Sequence, residues 1–167
     1  LRQSGQKAAG RFALLEARAC FEQALGILKS QPENDAALEN AFDIRLELRP
    51  VLRQLGEGRQ MLEHLREAEA ISERLKDDLR RGRVCAFMTT VLSSLGELDE
   101  ALVTGTRGVE IAQRVGDLRL GVITKSCLEE PYYYRGEYAR AVEIAIENLA
   151  ALERCINSLF RDRHELS

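Results

Sequence analysis

Tryptophan is absent from this 167-residue sequence, proline occurs three times, and methionine and histidine twice each. With no Trp and only three Pro, 45% apolar and 31% charged residues are the balance of a helical protein rather than a disordered one, and a strand-rich fold is not expected. A broad positive field is missing too. Lys and Arg total 24 against 27 Asp and Glu, a formal charge of -3, so neither nucleic acid nor an anionic membrane is an expected partner. No apolar run reaches the roughly 18 residues that a membrane-crossing helix needs, and Leu1-Arg2-Gln3-Ser4-Gly5 lacks a signal-peptide core. A cytoplasmic location is the expectation. The sequence opens without Met and runs out in polar residues, Arg161 to Glu165, which reads as a piece of a larger protein.

Catalytic and metal motifs are missing as well. Cys20, Cys85, Cys127 and Cys155 lie 65, 42 and 28 residues apart, which matches no metal or redox spacing, so core thiols are expected. His64 and His164 are 100 residues apart, and His64 is expected to be solvated. Asp77-Asp78 is followed by Leu79-Arg80-Arg81 where a hard cation would need further carboxylates. No Gly-x-x-x-x-Gly-Lys-Ser/Thr loop occurs. No cofactor, metal or catalytic residue is expected.

What the chain does have is a repeat. Gly96-Glu97-Leu98-Asp99-Glu100-Ala101 is echoed upstream by Gly56-Glu57-Gly58-Arg59-Gln60-Met61 and downstream by Gly136-Glu137-Tyr138-Ala139-Arg140-Ala141, so the Gly-Glu pair returns every 40 residues. Between these turns the apolar residues fall three and four apart. Leu14, Ala17, Phe21, Ala24, Leu25 and Leu28 form one helical stripe. Leu38, Phe42, Leu46, Leu48, Leu52 and Leu55 form a second, with Pro50 inside it; Met61, Leu62, Leu65, Ala68 and Ile71 form a third. Pro50 removes a helical hydrogen bond, so a kink or new helical start is expected between Glu47 and Pro50. Asn34 or Asp35 is placed to cap the second stripe's helix, and Gly116-Asp117 reads as a helix stop followed by an N-cap. Gly105 and Gly108 interrupt a later helix, which implies the close approach of another backbone.

Successive units superimpose in columns. Leu48, Met88 and Leu128 align at 40-residue intervals, as do Leu52, Leu92 and Tyr132. In the second helices Ala17, Met61, Ala101 and Ala141 align, followed by Phe21, Leu65, Gly105 and Ala145, then Ala24, Ala68, Gly108 and Asn148. The first interval is 44 because of an insertion at Pro32. Each helix pair can bury its stripe only against neighbouring pairs, so the units are expected to stack into a solenoid.

A glycine-led turn, Tyr or Leu two residues on, and Ala three later resembles the tetratricopeptide repeat, with Leu128, Tyr132, Gly136, Tyr138, Ala141 and Leu149 as the fullest copy. The pattern departs at Gly105, Glu129 and Asn148. That resemblance implies an all-α fold: a right-handed superhelical array of antiparallel helix pairs, about four repeats and eight helices. One repeat domain over 1–167 is expected, with repeats at about 1–32, 33–76, 77–116 and 117–160. Leu1 to Ala8 and Asn148 to Glu153 are also similar to the C-terminal repeat region of multidomain bacterial signalling proteins that carry an adenylate cyclase and an AAA-type ATPase. Neither module lies in this sequence.

In that family the first helix of each pair lines the concave face. Carried over, the lining is Asp43 and Glu47, then Arg83, Phe87, Thr90 and Ser94, then Ser126, Glu130, Tyr133 and Tyr134. Carboxylates, hydroxyls and aromatics together suit a peptide or a helix. Because three successive tyrosines cannot all be buried and Tyr132 aligns with core leucines, Tyr133 or Tyr134 is expected to face outward. Arg80-Arg81-Gly82-Arg83 is read as a solvated helix start. The expected function is a non-catalytic scaffold that binds a protein or peptide, or another domain of its parent chain. The alternative is a regulatory homodimerisation element, because the last helix leaves Ala151, Leu152, Cys155, Ile156, Leu159 and Phe160 without a following repeat.

Overall fold

The computed structural model describes residues 1–10, 13–30, 32 and 34–164, with side chains as far as Arg154. Among them are eight helices and no strand: α1 (Arg2–Gly10), α2 (Leu14–Lys29), α3 (Asp35–Leu55), α4 (Gly58–Arg74), α5 (Asp78–Ser94), α6 (Leu98–Val115), α7 (Leu118–Tyr134) and α8 (Tyr138–His164). The chain is an all-α array of helix pairs. Its helices gather into two compact units that divide within α5, after Val84.

Every connection after α3 is made by the same backbone device. Gly56, Gly96, Gly116 and Gly136 have φ between 73° and 79°, and Lys76 has φ of 54°. These five positions are spaced by 20 residues, so the 40-residue repeat is built from two helices of nearly equal length. At Gly56 the turn closes with Gly56 N–H donating to Arg53 O and Glu57 N–H donating to Leu52 O, at 3.2 and 2.9 Å. The same pair of bonds recurs at Lys76-Asp77, Gly96-Glu97 and Gly136-Glu137. They satisfy carbonyls that a helix end leaves over, and they need one residue in the left-handed region, which glycine enters without steric cost.

The residue after each turn is acidic. Where it is aspartate it caps the next helix: Asp77 Oδ1 accepts from Arg80 N–H at 2.9 Å, and Asp117 Oδ1 from Leu120 N–H at 2.6 Å. Glu57 and Glu97 are one methylene longer and make no such cap. The acidic pair Asp77-Asp78 is thereby placed as a helix start. Asn34 caps α3 by accepting from Ala37 N–H at 2.8 Å.

In the first unit α2 packs between α1 and α3, and α3 also packs on α4. Its core is Ala17, Phe21 and Leu25 of α2, Phe42, Leu48, Val51 and Leu52 of α3, and Met61, Leu65 and Ala68 of α4. Leu46 lies off that stripe and is only half-buried. The expected new start at Pro50 does not occur, since α3 runs unbroken through it. Pro50 and Leu46, whose carbonyl loses its helical partner, are both half-buried rather than core, so water can take the place of the missing donor.

In the second unit α7 packs between α6 and α8. Met88, Leu92, Ala101, Ile111, Leu128 and Ile144 are among its buried residues. The two interior glycines of α6 are close-approach points, but side chains approach them rather than backbone. A methyl group on Gly105 would lie 2.5 Å from Leu128 Cδ1 and 3.1 Å from Thr89 Cγ2; one on Gly108 would lie 3.1 Å from Cys85 Cβ and 3.2 Å from Thr124 Cγ2. Cys85 is core as expected, whereas Cys20 and Cys127 are half-buried. The Cys155 side chain lies outside those described, as do those of Ile156, Leu159 and Phe160.

Lys76 is the one non-glycine residue with positive φ among those described. Lys76→Gly is expected to raise stability by about 0.5–1 kcal/mol in urea unfolding, and Gly96→Ala to lower it by about 1 kcal/mol. Gly105→Ala is expected to cost more than Gly96→Ala, because Leu128 must move. A Lys76→Gly variant less stable than its parent contradicts the turn assignment.

Candidate functional site

Helix α7 carries Ser126, Glu130 and Tyr133 at spacings of four and three, so they share one face. That face and the start of α8 form an open groove of about 420 Å³, lined by these three residues with Glu129 from α7 and Ala141, Val142 and Ala145 from α8. Three of the sequence-predicted residues therefore meet in one concavity. Tyr133 and Tyr134 are 59% and 54% exposed, so both face outward. The Tyr133 ring makes edge contacts with Tyr134 at 5.8 Å and with Tyr138 at 5.4 Å between centroids. An exposed aromatic held by two others loses little freedom when a partner covers it.

The groove's charge is of one sign. Burial pushes the Glu130 carboxyl up, and a hydrogen bond with Tyr134 opposes that. Glu129 Oε1 accepts from Asn148 Nδ2 at 3.3 Å. Among the described residues neither carboxylate has a cationic partner, whereas the neighbouring cations are already paired: Lys125 with Glu147 at 2.6 Å, Arg135 with Asp99 at 2.9 Å and Arg140 with Glu143 at 2.9 Å.

The remaining predicted residues stand differently. Arg83, Phe87, Thr90 and Ser94 share one face of α5; Phe87 is half-buried and the other three are exposed. The two hydroxyls are spent within the helix, Thr90 Oγ1 donating to Ala86 O and Ser94 Oγ to Val91 O. Asp43 and Glu47 do not line an open face. Arg2 of α1 spans them, with Nη2 at 3.3 Å from Asp43 Oδ2 and 2.6 Å from Glu47 Oε1, and Gln6 Nε2 donates to Glu47 at 2.9 Å. The arginine run at the start of α5 is also largely engaged. Arg80 pairs with Glu39 and Asp77 and lies 5.4 Å over the Phe42 ring, while Arg81 pairs with Glu73.

Sequence reasoning missed a second cluster, in the first unit. The Arg45 side chain is 5% exposed, and its Nε and Nη2 both donate to Glu67 while Nη1 donates to Ala41 O at 2.9 Å. It stands at an apolar periodicity position of α3, and nothing in the local pattern marks it. His64 is half-buried rather than solvated, and its Nδ1 has no hydrogen-bond partner among the described residues. Burial and the Arg45 charge lower its pKa from 6.5, against the weaker pull of Glu67, Glu22 and Glu63. Burial also raises Glu67, but the Arg45 hydrogen bond and charge, with Lys29, outweigh it and hold that carboxyl below 4.5.

No group of three or more His, Cys, Asp or Glu side chains converges on a metal-sized space among the described residues, and no helix among them is long and apolar enough to cross a membrane. No protein-family model matches the chain, and no curated protein matches it in sequence. Solved structures do match. Aspartyl phosphate phosphatase F from Bacillus subtilis superposes over 98% of this chain with a TM-score of 0.75 at 13% identity. The fold is that of a tetratricopeptide-like helical repeat. A variant of a putative kinesin light chain with nearly identical TPR-like repeats, from Podosopora anserina, gives 0.79 over 93% at 15% identity, covering 74% of that chain. YrrB, described as a TPR protein with an unusual peptide-binding site, gives 0.62 over 95% at 21% identity, covering 71% of that chain. The match spans only 42% of the phosphatase. At these identities the likeness is one of fold.

His64 and Glu67 push stability in one direction. A group whose folded pKa is depressed binds its proton more readily in the unfolded chain, so its contribution is lost as pH falls. For His64 that loss begins as pH drops below 6.5, and for Glu67 below 4.5. The expected result is a lower melting temperature near pH 5.5 than near pH 7.5, with His64→Gln removing most of the difference. An unchanged difference in that variant contradicts the assignment.

Proposed function

We propose that the chain is a non-catalytic interaction module, and that the groove between α7 and α8 seats an extended segment or helix of a partner protein. The observation that carries this is Tyr133, more than half exposed yet braced by two neighbouring rings above a concavity with two uncompensated carboxylates. Such a groove suits a segment that brings an apolar side chain to Val142 and a Lys or Arg toward Glu129 and Glu130, within reach of the tyrosine face. The peptide-binding site described for YrrB supports the reading by likeness of fold. No acid–base pair or nucleophile converges in the aligned repeat columns, which supports a role in binding rather than turnover.

We read the chain as four repeats, at about 1–32, 33–76, 77–116 and 117–160. The resemblance of Leu1 to Ala8 and of Asn148 to Glu153 to the repeat region of bacterial cyclase and ATPase signalling proteins supports a cytoplasmic regulatory protein as the parent. A second reading rests on α8. Tyr138, Val142, Ile146, Leu149 and Leu152 are 43% to 61% exposed and fall along one side of that helix. Such a stripe suits pairing with a second copy, which would set the state of an attached enzyme.

Peptides selected from a random display library on the immobilised chain are expected to lose about tenfold or more in affinity for Tyr133→Ala, with unfolding free energy held within about 0.5 kcal/mol. Selected peptides that bind the variant equally well contradict the groove. Light scattering separates the second reading: a constant mass near 18.8 kDa supports a monomeric module, and twice that value supports α8 pairing.

A further inference from the structure

The first unit contains a cavity of about 360 Å³ at the corner where the end of α2, the start of α3 and the end of α4 meet. Leu25, Leu28, Leu38 and Ile71 supply apolar walls, and Arg45 with Glu67 closes one side. We propose that this cavity is a binding site for a small amphipathic carboxylate, its aliphatic body against the leucines and its carboxylate on Arg45 and Lys29.

The donor count of Arg45 points to an anion. A guanidinium carries five N–H groups. Three are used, two by Glu67 and one by Ala41 O, which leaves two without an acceptor among the described residues, on a side chain only 5% exposed. Buried donors of this kind are normally satisfied. Charge points the same way. Glu67 is shared, since Lys29 Nζ lies 3.8 Å from its other oxygen, so one carboxylate faces two cations there, and Arg74 is a third cation in the lining. A monoanion restores the balance, and the volume falls within the range of small-molecule sites.

The second unit supplies an internal contrast. Eighty residues on, the same two columns hold Lys125 and Glu147, paired at 2.6 Å beside a cavity of about 280 Å³ lined partly by Lys125 and Asn148. There the cation is 28% exposed rather than 5%, its single ammonium is bonded to its own glutamate, and Asn148, which lines that cavity, stands in the column that holds Ala68 in the first unit. The repeat thus makes a corner cavity twice, but buries an under-satisfied guanidinium in only one.

The test is a titration of the isotope-labelled 167-residue chain with octanoate, followed by backbone amide and arginine side-chain NMR, with octylammonium and 1-octanol as parallel probes. Octanoate is expected to give saturable shifts at Ala37, Ala41, Arg45 and Ala70 and at the Arg45 Nε–H, with the other two probes at least about tenfold weaker. Ala70→Phe, at an exposed lining position, is expected to abolish the shifts, and Lys29→Ala to weaken binding several-fold without disturbing the fold. Equal response to octanol overturns the anion assignment. Shifts confined to the α8 stripe, or none that saturate, overturn the site itself.

Discussion

The left-handed residue that ends each helix from α3 to α7 is the constraint on which the rest of the structure depends. Because it recurs every 20 residues, the helices from α4 to α7 are cut to nearly the same length, and a position counted from one turn recurs at the same count from the next. That is why columns form at all. Gly105 and Gly108 are useful only because Leu128 and Thr124 arrive opposite them, and those residues arrive there because the Gly116 turn fixes where α7 begins. A slipped turn would bring the wrong side chain against each glycine. The four glycines and Lys76 therefore set tertiary packing from a purely local conformation.

The 40-residue period is legible in the sequence because α3, α5 and α7 each end in a Gly-Glu turn. The 20-residue half-period is hidden for two reasons of chemistry. Lysine occupies one left-handed position, and the acidic residue alternates between glutamate after first helices and aspartate after second ones, where a short side chain is needed to reach back to the backbone. Apolar stripes are equally legible, since burial follows helical spacing in α2 and α4 with little exception. What spacing does not carry is the pairing of charges. Asp43 and Glu47 look like groove residues until Arg2, more than 40 positions away, is seen to span them. Arg45 looks misplaced in an apolar stripe until Glu67 reaches it from the neighbouring helix.

Charge balance then separates the two candidate sites. At the α7–α8 groove the local cations are already matched, leaving Glu129 and Glu130 as the excess. At the first unit's corner the excess is positive. A surface of paired charges contributes little to recognition, because each exposed pair is nearly neutral and well hydrated. The unmatched groups are therefore the informative ones, and they ask for partners of opposite sign at the two places.

The face of α8 completes the argument, because α6 shows what such a face looks like when covered. Counted from their turns, Tyr138, Val142, Leu149 and Leu152 correspond to Leu98, Leu102, Val109 and Ala112. All four are exposed on α8, and their counterparts on α6 are half-buried or buried. The open stripe is thus worth about 1.5–3 kcal/mol for each large side chain that a partner covers fully. Yet a partner cannot simply repeat the α6–α7 contact. The column that is Gly108 on α6 is Asn148 on α8, already buried against α7 and donating to Ser126 and Glu129. With that column filled, contact must move round the helix toward Tyr138, Val142 and Leu149, which brings it to the edge of the tyrosine groove. The same substitution that breaks the repeat pattern would therefore steer a chain docking on α8, as proposed, toward Glu129 and Tyr133.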